Sequence, residues 1–449
     1  MYVTKVRLTD IKGFGGPRAV ELVLPGQGGW TVIAGRNSSG KSTLLQAVAL
    51  ALGGPSVARS LVADFGGWIS ASASSGSVEV QVTHEQSADA FVGSGRRPAG
   101  VLPLSLEWAR PDLTKLRHVG EPRPVLSAPE TAGNDRGLRG PWADNTRGWF
   151  CAGYGPFRRL VGGSGEAQRM MLAQGPAGRM ATLFHEDASL AEGVSWLIDL
   201  RLRQLEKQAG AGVLLKSVLG LLGDGLLPDG FQIKRVTSDG VWVTRRGHRG
   251  PGYPLREMSD GYRTVAALVL DIVRQIHAVY GAVDTEPLDG GGLAVTAPGV
   301  VLIDEVDAHL HVTWQRKIGA WLREHFPNIQ FIVSSHSPYI CQAADEGCLI
   351  RLPGPNEDGP AEVVDQELYQ RIVYGSGDDA ALSELFGMET PYSERAEEKR
   401  KRLVVLERLV YAGTADEQQI GEYEALTELL TSSLESRVAE VTARLVGEE

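Results

Sequence analysis

Eight residues near the amino terminus, Gly35-Arg36-Asn37-Ser38-Ser39-Gly40-Lys41-Ser42, fit the spacing G-x-x-x-x-G-K-[ST]. Glycines at such positions let backbone N–H groups turn inward around phosphate oxygens, and a helix starting at Lys41, Ser42 and Thr43 points its positive end at them. Lys41 is expected to neutralise charge between a β- and a γ-phosphate, and the Ser42 hydroxyl to ligate Mg²⁺. Far along the chain, Gly299-Val300-Val301-Leu302-Ile303 is an apolar run that delivers two acids, Asp304 and Glu305. Asp304 suits a Mg²⁺ ligand, and Glu305 suits the general base that orients water on the γ-phosphate. A third segment, Ile329 to Val333, is apolar apart from Gln330 and leads into Ser334-Ser335-His336-Ser337-Pro338. A neutral His336 could sense the γ-phosphate or hold the attacking water. Asp307, His309 and His311 follow the acids in EVDAHLH, where packing or an interface is expected of the two histidines rather than a metal.

Elements must position these groups. TVIA reads as a strand before the glycine loop, and Lys41 to Leu52 reads as a helix with Leu44, Leu45, Val48 and Leu52 on one face, stopped by Gly53-Gly54-Pro55. Residues 2–8 and 18–24 alternate apolar and polar around a glycine-rich turn, which predicts a hairpin. Between 54 and 149 the pattern weakens, with strand-like pieces at 77–83 and 102–108, and the segment reads as inserted material rather than core. Helices are expected at 190–208 and 213–222, a second hairpin over FQIKRVTSDGVWVTRRG, and helix–strand alternation of a parallel sheet from Met258 to Leu352. The division expected is 1–53 and 225–356 as two parts of one α/β domain, 54–224 as an insertion, and 357–449 as a helical tail.

Composition is that of a globular chain: 43% hydrophobic and 22% charged over 449 residues. No secretory pattern opens the sequence, and no membrane contact is expected. Three cysteines without metal-site spacing suit a reducing cytoplasm. The net charge of -10 means that any DNA or RNA contact must be local, at Arg96-Arg97, Arg158-Arg159, Arg245-Arg246-Arg249 or Lys399 to Arg402. Short charge runs of this kind are more often solvated faces.

The order of Gly35 to Ser42, a long insertion, MSDGYR, LIDEVDAHLH and SSHSP resembles the P-loop ATPase heads of SMC-type, RecF-like and OLD-like proteins of the ABC superfamily. VRLTDIKGFGG, PLREMSDGYR and LSELFG look most like bacterial AAA-type ATPases of phage-defence operons, the Septu-type and retron-associated group. The resemblance implies an α/β head with a mixed sheet, an antiparallel β lobe, a helical insertion and a helical carboxyl-terminal tail. It implies ATP and Mg²⁺ as cofactors. It also assigns Met258 to Arg263 to the signature that reaches the γ-phosphate held by an opposite copy, with Ser259 supplying a hydroxyl and Gly261 a close backbone approach. The family pattern has glycine where Asp260 stands. Without the family, Ser259 reads as an ordinary helix cap. A Mg²⁺-watching glutamine belongs near Gly153-Tyr154-Gly155-Pro156, with Gln168 and Gln174 as candidates.

The function implied is an ATP-driven switch working as a homodimer or higher homo-oligomer of heads and controlling a separate effector, a nuclease. The alternatives are a nucleotide-stabilised scaffold with little hydrolysis, and a RecF-like repair ATPase. An OLD-type nuclease would need an acidic domain after the head, which the sequence beyond Pro353 does not suggest.

Overall fold

A computed structural model describes residues 1–93, 98–111, 124–144, 146–160, 165–172, 175–247, 250, 252–388, 390 and 392–430. Arg96, Arg97, Arg249, Gln174 and the tail beyond residue 430 lie outside the described residues. The chain forms two compact units, Met1–Phe386 and Gly387–Glu449. The first unit runs past the boundary expected at 357.

At the centre of the first unit is a six-stranded sheet. Its spatial order is Glu362–Val363, Leu349–Arg351, Gly29–Ala34, Ile329–Ser335, Gly299–Ile303 and Cys151–Tyr154. The last five are mutually parallel, and the Glu362–Val363 edge runs antiparallel. Period-two alternation explains how both faces are buried. Trp30, Val32, Val301 and Ile303 join one apolar cluster, whereas Ile33, Val300, Leu302 and Ile332 join the other. All strand residues from 299 to 303 and from 329 to 335 are buried. The parallel sheet carries its loops at one carboxyl edge, where the glycine loop and the acids must meet.

One face is covered by the helix Lys41–Leu61 and by a five-stranded antiparallel sheet ordered Val20–Val23, Tyr2–Thr9, Ser75–Thr83, Leu102–Ala109, Val125–Ser127. The expected hairpin of the first two strands is present. The reading of residues 54–149 as inserted material is corrected here. Ser75–Thr83 pairs directly with Tyr2–Thr9, and Val78, Val80, Val82, Leu104, Leu106 and Trp108 are completely buried. Gln330, the polar break in a buried strand, stitches the two sheets: its side chain accepts from Val3 N at 2.7 Å and donates to Val3 O at 2.9 Å. It satisfies backbone groups where the neighbouring strand shifts register after Val3.

The helix Lys41–Leu61 breaks at the expected place. Gly54 leaves helical geometry with φ 79°, a side chain there would meet the Trp142 ring at 2.5 Å, and helix resumes to Leu61. It is long and apolar enough to cross a membrane, yet 67% of its apolar window is packed inside the fold.

The other face is covered by Asp260–Tyr280, Ala191–Leu205, Ala211–Gly223 and Val312–His325. The hairpin of Phe231–Thr237 and Gly240–Arg245 forms as read. Asp260–Tyr280 is fixed to the sheet edge by a buried polar cluster, in which Tyr154 Oη donates to Asp271 at 3.0 Å and Arg274 pairs with Asp271 at 2.8 Å. The second unit contains the helices Glu394–Tyr411 and Glu417–Leu430, joined by the exposed Arg402–Glu422 ion pair.

If the strands between 75 and 127 are core, Trp108→Ala should cost about 3–5 kcal/mol of stability, while Val125→Ala, at a 61% exposed position, should stay within about 0.5 kcal/mol. Denaturant unfolding of both variants checks this, and a tolerated Trp108→Ala would contradict the assignment.

Candidate functional site

The strand Gly29–Ala34 ends in the glycine loop. Gly35 is buried and cannot carry a side chain, since a Cβ would sit 2.7 Å from Leu352 O. Arg36, Asn37 and Ser38 form an exposed crest, with Ser38 at φ 63°. Gly40 turns the chain into the helix at φ 100°, under the Phe14 ring, which a Cβ would approach to 2.5 Å. A glycine-bearing turn that leads straight into a helix start is the class of backbone that binds phosphate. Ser39 is buried, with its hydroxyl unpartnered. Arg18 braces the loop from outside by donating to Ser39 O at 3.3 Å and to Pro353 O at 3.1 Å. Ser42 and Thr43 are half-buried in the first turn.

Lys41 is buried, and its Nζ donates to Gly35 O at 2.9 Å and to Arg36 O at 3.0 Å. Burial pulls its ammonium below the usual lysine range, while Asp304, Glu305 and Asp307 oppose that pull. The two distant segments therefore meet, as expected. Burial, with help from Asp304 and Asp307, raises the Glu305 carboxyl above its ordinary value, and Lys41 and Arg158 oppose the rise. A raised carboxyl is the direction a general base needs. His336 is half-buried, and burial and then Lys41 hold it below the usual imidazole range, so it is neutral at pH 7. Lys41, Asp304, Glu305 and His336 thus stand together at one edge of the sheet.

Two serines at the end of Ile329–Ser335 lock the acids. Ser334 Oγ donates to Asp304 Oδ1 and accepts from Glu305 N at 2.8 Å. Ser335 Oγ donates to Asp307 Oδ1 and accepts from Ser337 N at 2.9 Å. Asp304 is 5% exposed. A carboxylate and the Ser42 hydroxyl are oxygen donors of the kind that suit Mg²⁺ completed by phosphate and water.

Arg158 is the residue whose role sequence reasoning missed. It was grouped with Arg159 as a charge doublet, yet it is 2% exposed. Its guanidinium donates to the carbonyls of Gly155 and Asp304 at 3.1 and 3.0 Å, and to those of Glu305, Val306 and Ala308 at 3.1, 3.2 and 3.4 Å. Burial brings it down to about 10, against Asp307, Asp304 and Glu305, so it stays charged at neutral pH. The loop it grips holds Glu305 at φ 45° and His309 at φ 65°. Nothing local marks this role, although a cation after the GYGP turn of a strand beside the acids was the available signal.

Ser259 and Gly261 are not brought to Lys41. Ser259 is the N-cap of the helix Asp260–Tyr280 and lies on the surface, where the plain reading puts it, but its side chain makes no cap hydrogen bond. Asp260 is ion-paired with Arg263. Asp260, Arg263 and Thr264 line a cavity of about 290 Å³ with Phe157, Arg158 and His309. A Cβ on Gly261 would meet His309 O at 2.9 Å. His311 caps the helix Val312–His325 through Thr313 N at 3.4 Å. Gln168 bonds Glu192 and Ser189.

Arg158→Ala should leave several buried carbonyls without a partner and cost about 3 kcal/mol or more, with Arg158→Lys in between because one ammonium cannot span five acceptors. Denaturant unfolding measures the loss, and faster amide exchange at 304–308 locates it; unchanged exchange would contradict the clamp.

Comparison with known proteins matches residues 5–93 to a family described as "AAA domain" and residues 201–342 to one described as "AAA domain, putative AbiEii toxin, Type IV TA system". Among curated relatives, the chain is 43% identical over 89 residues to "Retron Ec83 probable ATPase" of Escherichia coli, covering 20% of this chain and 15% of that protein. It is 38% identical over 109 residues to "Retron Vc95 probable ATPase" of Vibrio cholerae, covering 23% and 20%. It is 30% identical over 139 residues to "Septu protein PtuA" of Bacillus thuringiensis, covering 31% and 33%. These matches span at most a third of each relative's length. A solved SMC head bound to the winged-helix domain of ScpA aligns with 81% of this chain and 97% of its own at 16% identity and TM-score 0.47, and the SMC head of Thermotoga maritima aligns with 81% and 98% at 18% and 0.41. Over part of its length the chain is similar to AAA-domain families, to retron probable ATPases and to Septu protein PtuA, and its glycine loop stands at the carboxyl edge of an α/β sheet.

Proposed function

We propose that the chain binds and hydrolyses Mg–ATP, and that each nucleotide site is completed by Ser259 and Gly261 of a second copy. The observation that carries this reading is the meeting of Lys41, Asp304, Glu305, Asp307 and His336 from three strand ends at one glycine loop. Residues 35–43 embrace the phosphates through backbone N–H groups, and Lys41 offsets the charge shared by the β- and γ-phosphates. Ser42 and Asp304 would hold Mg²⁺, which would supply further neutralisation on the triphosphate. Glu305 takes the proton of the attacking water, and neutral His336 hydrogen-bonds the γ-phosphate or that water.

The exposed helix start at Ser259 supports the two-copy reading. Its hydroxyl is not used by its own helix, and the positive end of a 21-residue helix faces solvent. Seated on a partner's γ-phosphate, it would glue two heads together, and loss of that phosphate would release them. The output is control of a separate effector, of the nuclease class that the family resemblance implies.

A second reading, a nucleotide-held scaffold with little turnover, draws on the acid at 260. The Arg263–Asp260 pair weakens that objection, because the carboxylate beside the helix start already has a counter-ion.

Phosphate release by the full chain with Mg–ATP discriminates the two. Glu305→Gln should slow it by about a hundredfold to ten-thousandfold while nucleotide binding persists, and Lys41→Ala should abolish binding. Equal release from wild type and Glu305→Gln would discard hydrolysis at this site and favour the scaffold.

A further inference from the structure

Arg158 and Arg274 are buried and Arg179 is half-buried, and the fold balances their charge unequally. Arg158 donates to five carbonyls, and Arg274 pairs with Asp271. Arg179, on the helix Pro176–Phe184, donates from Nε to Cys151 O at 3.2 Å, and among the described residues no carboxylate pairs with it. The groups that favour its charge are Cys151, Tyr154 and Tyr280, all of which burial keeps protonated and neutral. A guanidinium does not shed its proton at neutral pH, so half-buried Arg179 carries a charge that no carboxylate among the described residues offsets.

Arg179 also lines a cavity of about 660 Å³, a size that holds a small organic molecule. Trp142 and Trp149 line it too, and their indole N–H groups are spent on Ala51 O at 2.9 Å and Ala90 O at 2.6 Å. What these two side chains offer a ligand is therefore apolar surface. Asp144, exposed, stands on the same wall and disfavours a polyanion. The cavity lies behind the phosphate site. It touches Gly53 and Pro55 at the break of the helix that begins with Lys41, and Gln275 and Ala278 near the far end of the helix that begins after Ser259.

We propose that this cavity binds a singly charged organic anion with a flat apolar body, with Arg179 as counter-ion and Trp142 and Trp149 as walls. An occupant would contact the rear parts of both helices whose front ends, on the function proposed above, face nucleotide.

The probe is anilinonaphthalene sulfonate, a flat aromatic monoanion, titrated by fluorescence into the full-length chain, with neutral N-phenylnaphthylamine as its uncharged counterpart. The expected result is one saturable site for the sulfonate, with the neutral dye bound about tenfold or more weakly. Arg179→Gln should weaken the sulfonate by a similar factor and leave the neutral dye unchanged. Ala278→Trp, which fills the cavity from an exposed position and leaves the arginine in place, should weaken both dyes, and near-ultraviolet circular dichroism checks that each variant is folded. If Arg179→Gln does not fold, the neutral dye and Ala278→Trp decide. Absence of a saturable site in wild type, equal affinity for the two dyes, or wild-type binding by Ala278→Trp would overturn the proposal.

Discussion

Five backbone carbonyls converge on one buried guanidinium, and the working edge of the sheet depends on that convergence. After Ile303 the chain leaves the strand, and residues 304–308 have no ladder to satisfy their carbonyls. Buried backbone acceptors must find partners, and Arg158 supplies them from a single planar fork. Because those partners are fixed, the loop can hold Glu305 at φ 45°, a conformation that a glutamate adopts only under constraint. The serines at 334 and 335 complete the restraint from the next strand by gripping Asp304, Glu305 and Asp307. A catalytic carboxylate gains precision from such over-determination.

The same loop links the two surfaces the proposed mechanism needs. Tyr154 O accepts from Asp304 N at 2.7 Å, while Tyr154 Oη reaches Asp271 on the helix that begins after Ser259. Four residues later Arg158 holds the acid loop and lines the small cavity against Asp260 and His309. A shift at the exposed helix start therefore has a packed, hydrogen-bonded route to the acids, and interiors of this density transmit strain rather than absorb it.

How much of this was legible depended on how local each signal was. The glycine loop, the acids after Ile303 and the histidine after Ser335 are written in contiguous residues, and each stands where its segment predicted. The strands Ser75–Thr83 and Leu102–Ala109 were visible as alternation but were judged insertion, because the Pro- and Gly-rich stretch after them dominated the window; only pairing with Tyr2–Thr9 gives them a place in the core. Arg158 was invisible for a different reason. A charge doublet in sequence carries no mark of which member faces inward, and its five acceptors are backbone atoms, which leave no trace in residue type. Arg158 and Arg179 both fall between the two stretches matched by family models, 5–93 and 201–342. Ser259 read alone is a cap, and it does stand at the N-cap; that its hydroxyl makes no cap hydrogen bond required geometry.

The claim on which the account turns is that the lysine and the signature serine serving one triphosphate come from different copies. It is tested most directly by mixing two inactive variants, Lys41→Ala and Ser259→Arg, and measuring phosphate release. Each alone should be silent, and the mixture should regain part of wild-type turnover, because a heterodimer retains one intact pair of Lys41 from one copy and Ser259 from the other. Silence of the mixture, with both variants folded and associating, would contradict the composite site.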